Sequence, residues 1–435
     1  MKRNIIKPSI LPGFMELLPK EQQIFNDIVS KITKVYEDNG CLGIDTPVIE
    51  KAEVLLAKSG GETEKQVYSF QKGKNNLALR FDLTVPFARY VAQYYNDLVF
   101  PFKRYQIGKV YRGERNQKGR YREFYQCDID VIGKEKLSID NDAWVISLAS
   151  KAFKAIGLNN YRFQISNRKI LKGILGELKI DKPNKVMILI DKYDKIGKEI
   201  FSKELENLIG FNKSDYINRA LDIKGSNKER IEELSKLNIE NKDFIEGIEE
   251  LKKVCYILEI LGVSDEKFEI NLKIIRGLDY YTGTVFETIL VGNEGYGSIC
   301  SGGRYDNLAE NYTNNILPGV GISIGLTRLF FVLKEIGFID KYEIKRGLDY
   351  LIIPIGDTVE YCVEVMRCLQ EKGKRVTVYF EEDSLKKKMN YANKIGVSNV
   401  ILIGEEEIEK NEVKIKNMNS GESMNVNYKL LQNNL

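Results

Sequence analysis

The chain has 435 residues and no histidine, with 66 Lys and Arg against 62 Asp and Glu, for a formal net charge of +4. Without imidazole it cannot run Ser-His-Asp or Cys-His catalysis, a histidine proton shuttle, or a zinc or iron site with imidazole ligands. Its chemistry must use carboxylates, Arg, Lys, Tyr, amides or bound cofactors, and so small a net charge leaves any nucleic-acid binding to local patches.

The length predicts two or three domains. A hydrophobic fraction of 43% and a charged fraction of 29% are those of a soluble globular protein. The six cysteines, at 41, 127, 255, 300, 362 and 368, form no CxxC pair. Free thiols in a reducing compartment follow, so a cytoplasmic location is expected. Pro8 interrupts the N-terminal segment before an apolar run builds, so no signal peptide is expected. No apolar stretch is long enough for a bilayer, so no membrane association is expected.

Along the chain, residues 20–38 carry Ile24, Phe25, Ile28, Val29, Ile32, Val35 and Tyr36 at helical spacing, and Asn39-Gly40 stops the helix. Cys41 to Glu50 (CLGIDTPVIE) reads as one strand broken by Pro47, at an edge or bulged. Leu77 to Asp82 reads as a strand and Val85 to Tyr95 as a helix. Phe102 to Arg112 and Glu123 to Ile132 read as an antiparallel hairpin around a basic loop. From 168 to 260 Lys, Glu, Asp and Asn dominate, with Ile and Leu at helical spacing, which predicts a helical insertion. Ile231 to Leu261 within it predicts two helices. Strands are predicted again at Phe268 to Ile275, Thr284 to Val291 and Tyr296 to Ser301, then a helix at Leu326 to Ile336. After a linker over 337–347, strands at Tyr350 to Pro354, Arg375 to Tyr379 and Asn399 to Ile403 alternate with helices at Val359 to Glu371 and Ser384 to Ile395. That rhythm predicts a separate, largely parallel α/β domain over 348–435.

Four segments carry the chemistry. Gly321-Ile-Ser-Ile-Gly325 matches the GxSxG nucleophile elbow, but Ser323 has no histidine to activate it, so a close-packed strand entering a helix is expected. No GxxxxGK[ST] phosphate loop occurs. The run from Arg112 to Arg122 places five cations (Arg112, Arg115, Lys118, Arg120, Arg122) against Glu114. Most basic loops are solvated tips. Arg112, however, sits at a strand end beside Val110 and Tyr111, where its planar fork suits a phosphate or carboxylate. Arg276-Gly-Leu-Asp-Tyr-Tyr-Thr-Gly-Thr places a cation near Tyr280 and Tyr281, with glycines that favour a close-approach turn over a plain strand. Arg328, in the first turn of its helix, opposes the helix dipole, a mismatch that an anionic ligand would offset.

YRGERNQKGRYREF, RGLDYYTGTVFE, SGGRYD and GISIGLTR, in this order, resemble the histidyl-tRNA synthetases, a family of class II aminoacyl-tRNA synthetases, over almost the whole chain. CLGIDTPVIE is similar to class II motif 1, Val110 to Asp130 to motif 2, and Gly319 to Leu329 to motif 3. RGLDYYTGT and SGGRYD resemble the histidine-specific segments. The resemblance implies an α+β catalytic domain over 1–336, an antiparallel sheet with flanking helices carrying the helical insertion. It further implies that 348–435 is an anticodon-binding-like α/β domain and that the protein is a homodimer.

The resemblance also implies roles. Asp82, Leu83 and Thr84 would bind the amino group of L-histidine, with Gln126 beside them. Arg112 and Arg276 would be the catalytic pair, clamping the α-phosphate of ATP from two sides and touching the histidine carboxylate. Asp130, Tyr280 and Tyr281 would read the imidazole. Arg328 would hold the ATP tail, and Glu114 would lie near the adenine. Arg115 and Gln117 would approach the acceptor end of tRNA-His. Mg²⁺ would accompany ATP, with no protein metal site expected.

This chemistry suits a chain without histidine. A carboxylate attacking the α-phosphorus is already ionised and needs no base, while preorganised arginines stabilise the growing charge. Two departures stand out: SGES at 420–423 lacks the family's more usual final Gln, and Tyr125 stands where many members have histidine. Lys386, Lys387 and Lys388 form either a phosphate contact or a solvated face. Two other readings compete. One is a histidine-binding regulator resembling the regulatory subunit of ATP phosphoribosyltransferase, a group that typically lacks the anticodon domain. The other is a histidyl-adenylate-forming ligase with a non-tRNA acceptor.

Overall fold

The computed structural model describes residues 6–57, 62–114, 118–275, 280–342 and 347–427. The chain divides into two compact units, Met1–Lys341 and Tyr342–Leu435.

The strands of the first unit begin with β1 (Leu42–Gly43), β2 (Ile49–Lys51), β3 (Ser69–Lys72), β4 (Asn75–Leu79), β5 (Phe102–Tyr111) and β6 (Glu123–Ile132). They continue as β7 (Tyr161–Asn167), β8 (Phe268–Ile270), β9 (Thr284–Leu290), β10 (Cys300–Tyr305) and β11 (Gly319–Gly325). Eight of them make one sheet in the order β1-β5-β6-β11-β10-β9-β7-β8. Its centre is antiparallel, and only the outer pairs β1–β5 and β7–β8 are parallel. A small sheet, β2-β4-β3, stands apart.

The helix Pro19–Asp38 buries Ile24, Phe25, Ile28, Ile32 and Tyr36, the apolar face its spacing predicts. Asn39 Nδ2 caps it on the Val35 carbonyl at 2.8 Å, and Gly40 takes φ +78°. CLGIDTPVIE is not one strand. It splits into β1, paired with β5, and β2, paired with β4 in the other sheet. Pro47 lies between them and has no N–H to continue a ladder. The strand expected over 77–82 is β4, which ends at Leu79; Arg80 N–H then donates to the Val48 carbonyl.

The β5–β6 hairpin pairs Tyr111 with Glu123 at its tip and Phe102 with Ile132 at its base. The strand expected at Tyr296 to Ser301 starts later, at Cys300. Residues 294–296 form a 3₁₀ turn instead, closed by Gly297 at φ +70°. Seven helices lie between Arg168 and Ile260, among them Asn227–Ser235 and Lys242–Ile260, where two were expected. Arg168–Glu177 and Lys242–Ile260 pack closely through glycine: a Cβ on Gly173 would fall 2.5 Å from the Phe244 nitrogen.

The second unit has β12 (Tyr350–Pro354), β13 (Val376–Val378), β14 (Asn399–Ile403), β15 (Val413–Asn417) and β16 (Ser423–Val426), in the order β13-β12-β14-β15-β16. The first three are parallel. β15 and β16 add an antiparallel edge that alternation up to 403 does not reveal. Helix Leu385–Ile395 ends at Gly396 in the left-handed region, φ +70°. Lys386 to Lys388 are not one solvated face. Lys388 is buried and donates to the Pro354 carbonyl at 2.9 Å, while Lys387 pairs with Asp383 at 2.7 Å. Among the described residues, no helix is long and apolar enough to cross a membrane.

Candidate active site

A cavity of about 400 Å³ opens on one face of the large sheet. Period-2 alternation on β6 turns Gln126, Asp128 and Asp130 to that face. β11 runs beside it with Gly325 opposite Gln126, Ser323 opposite Asp128 and Gly321 opposite Asp130. Glycines let the ladder close here. A Cβ on Gly321 would fall 2.0 Å from Asp130 Oδ1, and one on Gly302 would fall 2.1 Å from the Gly321 carbonyl.

Arg112 leaves the end of β5 and lines the cavity. Its N–H donates to the Arg122 carbonyl at 2.8 Å, and its Nε donates to the Phe81 carbonyl at 2.9 Å. The guanidinium lies 5.2 Å from the Phe124 ring centre. The side chain is thus braced, so its fork is ordered before any anion arrives. Arg328 also lines the cavity and donates to the Tyr296 carbonyl. Gly297 makes room for it, since a Cβ there would lie 2.9 Å from Arg328 Nη2. Glu114 lines the cavity as well, with its carboxylate 3.5 Å from Arg120.

The other part of the cavity is rich in carboxylates. Asp82 Oδ1 accepts from Val85 N–H at 3.0 Å, and Oδ2 is buried with no hydrogen-bond partner. Burial pushes this carboxyl up to about 6, with the Val85 N–H and Arg112 pulling it down. Burial pushes Asp128 further, to about 7, against the pull of Arg104. Asp130 is also raised by burial and held back by Arg104. Gln126 Nε2 donates to Ser323 Oγ at 2.8 Å, and its Oε1 is buried without a partner. The Tyr280 and Tyr281 rings meet edge-on at 4.8 Å, and Tyr280 lies 6.1 Å from the Tyr305 ring.

A scan of family descriptions matches residues 13–329 to "Histidyl-tRNA synthetase" and 349–433 to "Anticodon binding domain". A protein named histidine–tRNA ligase from Clostridium acetobutylicum is 63% identical over 98% of this chain and 99% of its own. The chain belongs to the histidyl-tRNA synthetase family. A second such relative, from Clostridium tetani, is 51% identical over 98% of each chain. The crystal structure of histidyl-tRNA synthetase from Nostoc sp. PCC 7120 superposes with a TM-score of 0.89 at 36% identity, covering 98% of each chain.

Within the histidyl-tRNA synthetase fold, Asp82, Thr84, Arg112, Glu114, Gln126, Tyr280, Tyr281 and Arg328 all line the one cavity. Leu83 does not line the cavity. Its side chain is fully buried, and its carbonyl accepts from Arg104 Nη2 at 3.1 Å. Asp130 lies in an adjoining recess of about 20 Å³. It is paired with Arg104 at 2.5 Å and accepts from the Tyr305 hydroxyl at 2.7 Å. Arg276, Arg115 and Gln117 lie outside the described residues. Tyr280 and Tyr281 precede β9 and are not part of a strand. Ser323 sits on a strand entering a helix, as its lack of a base suggested, yet it lines the cavity and orients Gln126.

Three residues of the site were not singled out from sequence. Asp128 was signalled by the same alternation as Gln126 and Asp130. Arg104 and Tyr305 were not, because the charge that buries Arg104 and the carboxylate that Tyr305 contacts come from β6, distant in the chain. Arg304 of that motif is structural: it pairs with buried Asp142 at 2.7 Å and donates to the Leu137 and Ser138 carbonyls.

Proposed function

We propose that this chain is a histidine–tRNA ligase that activates L-histidine with ATP and transfers the histidyl group to the 3′ end of tRNA-His. The observation that carries the reading is one cavity with braced arginines and, on the adjoining strand face, buried carboxylates with unpaired oxygens. The first suits a triphosphate, the second an ammonium and a ring that donates hydrogen bonds.

Asp82 and Gln126 each keep a buried acceptor without a partner, which suits the α-ammonium of histidine, with Thr84 beside them. Arg112 and Arg276 form the catalytic pair on the α-phosphate. Glu114 and Arg328 hold the adenine side and the phosphate tail. Tyr280, Tyr281 and Asp130 belong to the ring pocket, and Arg115 and Gln117 to the tRNA acceptor end. Mg²⁺ would accompany the ATP phosphates. The histidine carboxylate attacks the α-phosphorus, pyrophosphate leaves, and the arginines stabilise charge that grows on the phosphate oxygens. No general base is needed for this step.

The domain assignment we adopt is catalysis over 1–336 with the insertion at about 168–260, a linker over 337–347, and anticodon binding over 348–435. The enzyme is taken to be a cytoplasmic homodimer, which light scattering would register as twice the chain mass. The regulatory reading gains nothing from the site, since Arg112 and Arg328 are retained and the anticodon-domain match is present.

ATP–pyrophosphate exchange with each amino acid in turn tests the proposal. Exchange is expected with histidine alone, and silence with histidine would overturn it. Charging of purified tRNA-His then separates the synthetase from a ligase with another acceptor. Arg276→Ala should cut adenylate formation by roughly 10² or more while changing histidine affinity little. A rise in KM alone would remove its transition-state role.

A further inference from the structure

The two sides of the cavity hang from different sheets. Asp82 follows the end of β4 in the small sheet, and Arg112 follows the end of β5 in the large one. Residues 80–83 belong to no strand or helix, so their placement rests on individual contacts. Arg80 supplies them. Its N–H donates to the Val48 carbonyl at 2.9 Å, just before β2, and its carbonyl accepts from the N–H of Tyr111, the last residue of β5, at 2.9 Å.

The Arg80 side chain is 3% exposed and does not line the cavity. Its Nε donates to the Lys109 carbonyl on β5 at 2.8 Å. Its Nη1 donates to the Thr46 carbonyl and to Asp45 Oδ1, the latter at 3.2 Å. Asp45 and Thr46 lie where the chain leaves β1 of the large sheet for β2 of the small one. Gly108 on β5 makes room, since a Cβ there would fall 2.5 Å from Arg80 Nη2. The Asp45 side chain is 80% exposed, so this is not a buried ion pair whose attraction offsets the cost of desolvation. What the planar fork gains is direction, with bonds to carbonyls of two separate segments.

The next two residues carry that direction into the site. The Phe81 carbonyl braces Arg112 Nε at 2.9 Å, and Asp82 lines the cavity. We propose that Arg80 is a positioning residue for adenylate formation. By pinning the two sheets together it sets the Asp82 carboxylate, and with it the bound amino acid, in register with Arg112 and the phosphate that Arg112 holds. This rests on the roles proposed above for Asp82 and Arg112. Attack of a carboxylate on phosphorus needs both reactants aligned, and a misplacement of about 1 Å can lower the rate about 100-fold. Each half of the site would still bind its own ligand.

The test uses Arg80→Lys and Gly108→Ala in the full-length protein. Lysine keeps the charge and loses the fork, while the alanine methyl pushes on Nη2 and leaves Arg80 in place. Rapid-quench measurement of adenylate formation at saturating histidine and ATP gives two readings: the amplitude counts competent sites, and the rate reports alignment. Calorimetric titration with each substrate alone measures binding. In Arg80→Lys the rate is expected to fall about 100-fold at full amplitude, with histidine and ATP affinities within about threefold of wild type. Gly108→Ala should slow the same step by about 10-fold.

A wild-type rate with reduced amplitude would make Arg80 a purely structural residue and overturn the proposal. So would a loss of affinity for one substrate with the rate at saturation unchanged, since Arg80 would then serve one half of the site only. If Arg80→Lys fails to fold, the rate in Gly108→Ala decides. A wild type that forms no adenylate with histidine would instead overturn the reading of the site on which the proposal rests.

Discussion

Arg104 is fully buried, and the carboxylate that matches its charge, Asp130, is buried with it. It also donates to the Leu83 carbonyl and lies 4.4 Å from the Phe87 ring centre. Removing one member of a buried pair leaves an uncompensated charge, at a cost of about 3–5 kcal/mol. Arg104→Met should therefore lower the melting temperature sharply, whereas Arg104→Met combined with Asp130→Leu should recover much of it while still binding histidine poorly. Differential scanning calorimetry with a histidine titration checks both halves. The raised carboxyls give a pH signature. Asp82 and Asp128 hold protons in the folded state up to about 6 and about 7, far above the usual 3.8. Between about pH 4 and 7 the native state binds more protons than the unfolded one, so stability falls as pH rises through that window. Asp128→Asn removes one such group, so its melting temperature should exceed that of wild type by roughly 3 °C or more at pH 8, with the gap closing near pH 4. Arg112 was legible from its place at a strand end, whereas Asp82 and Gln126 were named only through the family resemblance. Sequence hid Arg104, because burial of an arginine depends on a carboxylate 26 positions away in the chain.

Elements were legible where one periodicity ran uninterrupted. Pro19–Asp38 and the β5–β6 hairpin are such cases, as are the helices at Val359–Glu371 and Leu385–Ile395. CLGIDTPVIE misled because its two halves pair with different sheets, a long-range choice that local pattern does not encode. β10 was displaced because Tyr296 and Ile299 look like strand residues, while Gly297 takes a left-handed turn between them. The glycines of β10 and β11 explain how a sheet centre can host a pocket. Gly321 gives its side-chain space to Asp130. Gly321→Ala would displace that carboxylate from Tyr305 and Arg104. Overpacking of this kind costs about 1–3 kcal/mol. The expected outcome is a lower urea midpoint together with a raised KM for histidine. An unchanged KM would mean the recess plays no part in binding.

At the scale of the molecule, the two units each have a core of their own. In the second, one cluster around Ile352, Val365 and Ile401 and another around Leu351, Ile353 and Val400 cover the two faces of its sheet. A fragment of residues 342–435 should thus fold alone with a cooperative thermal transition, and 1–341 should retain histidine-dependent pyrophosphate exchange while losing most tRNA charging. Loss of exchange in the 1–341 fragment would contradict independence of the units. The break in texture near 340 was visible in sequence because helix and strand change rhythm there. The antiparallel edge strands β15 and β16 were not anticipated: β15 does alternate, burying Val413 and Ile415, but over only five residues, and β16 is largely exposed. The carboxylate floor of the cavity has one more consequence. The chain supplies no imidazole anywhere, so in the complex the substrate's ring would be the sole source of imidazole resonances. With protein purified without a histidine tag, ring-labelled histidine would give a magnetic resonance signal free of background. Its tautomer and protonation could then be read directly against the carboxylates that surround it.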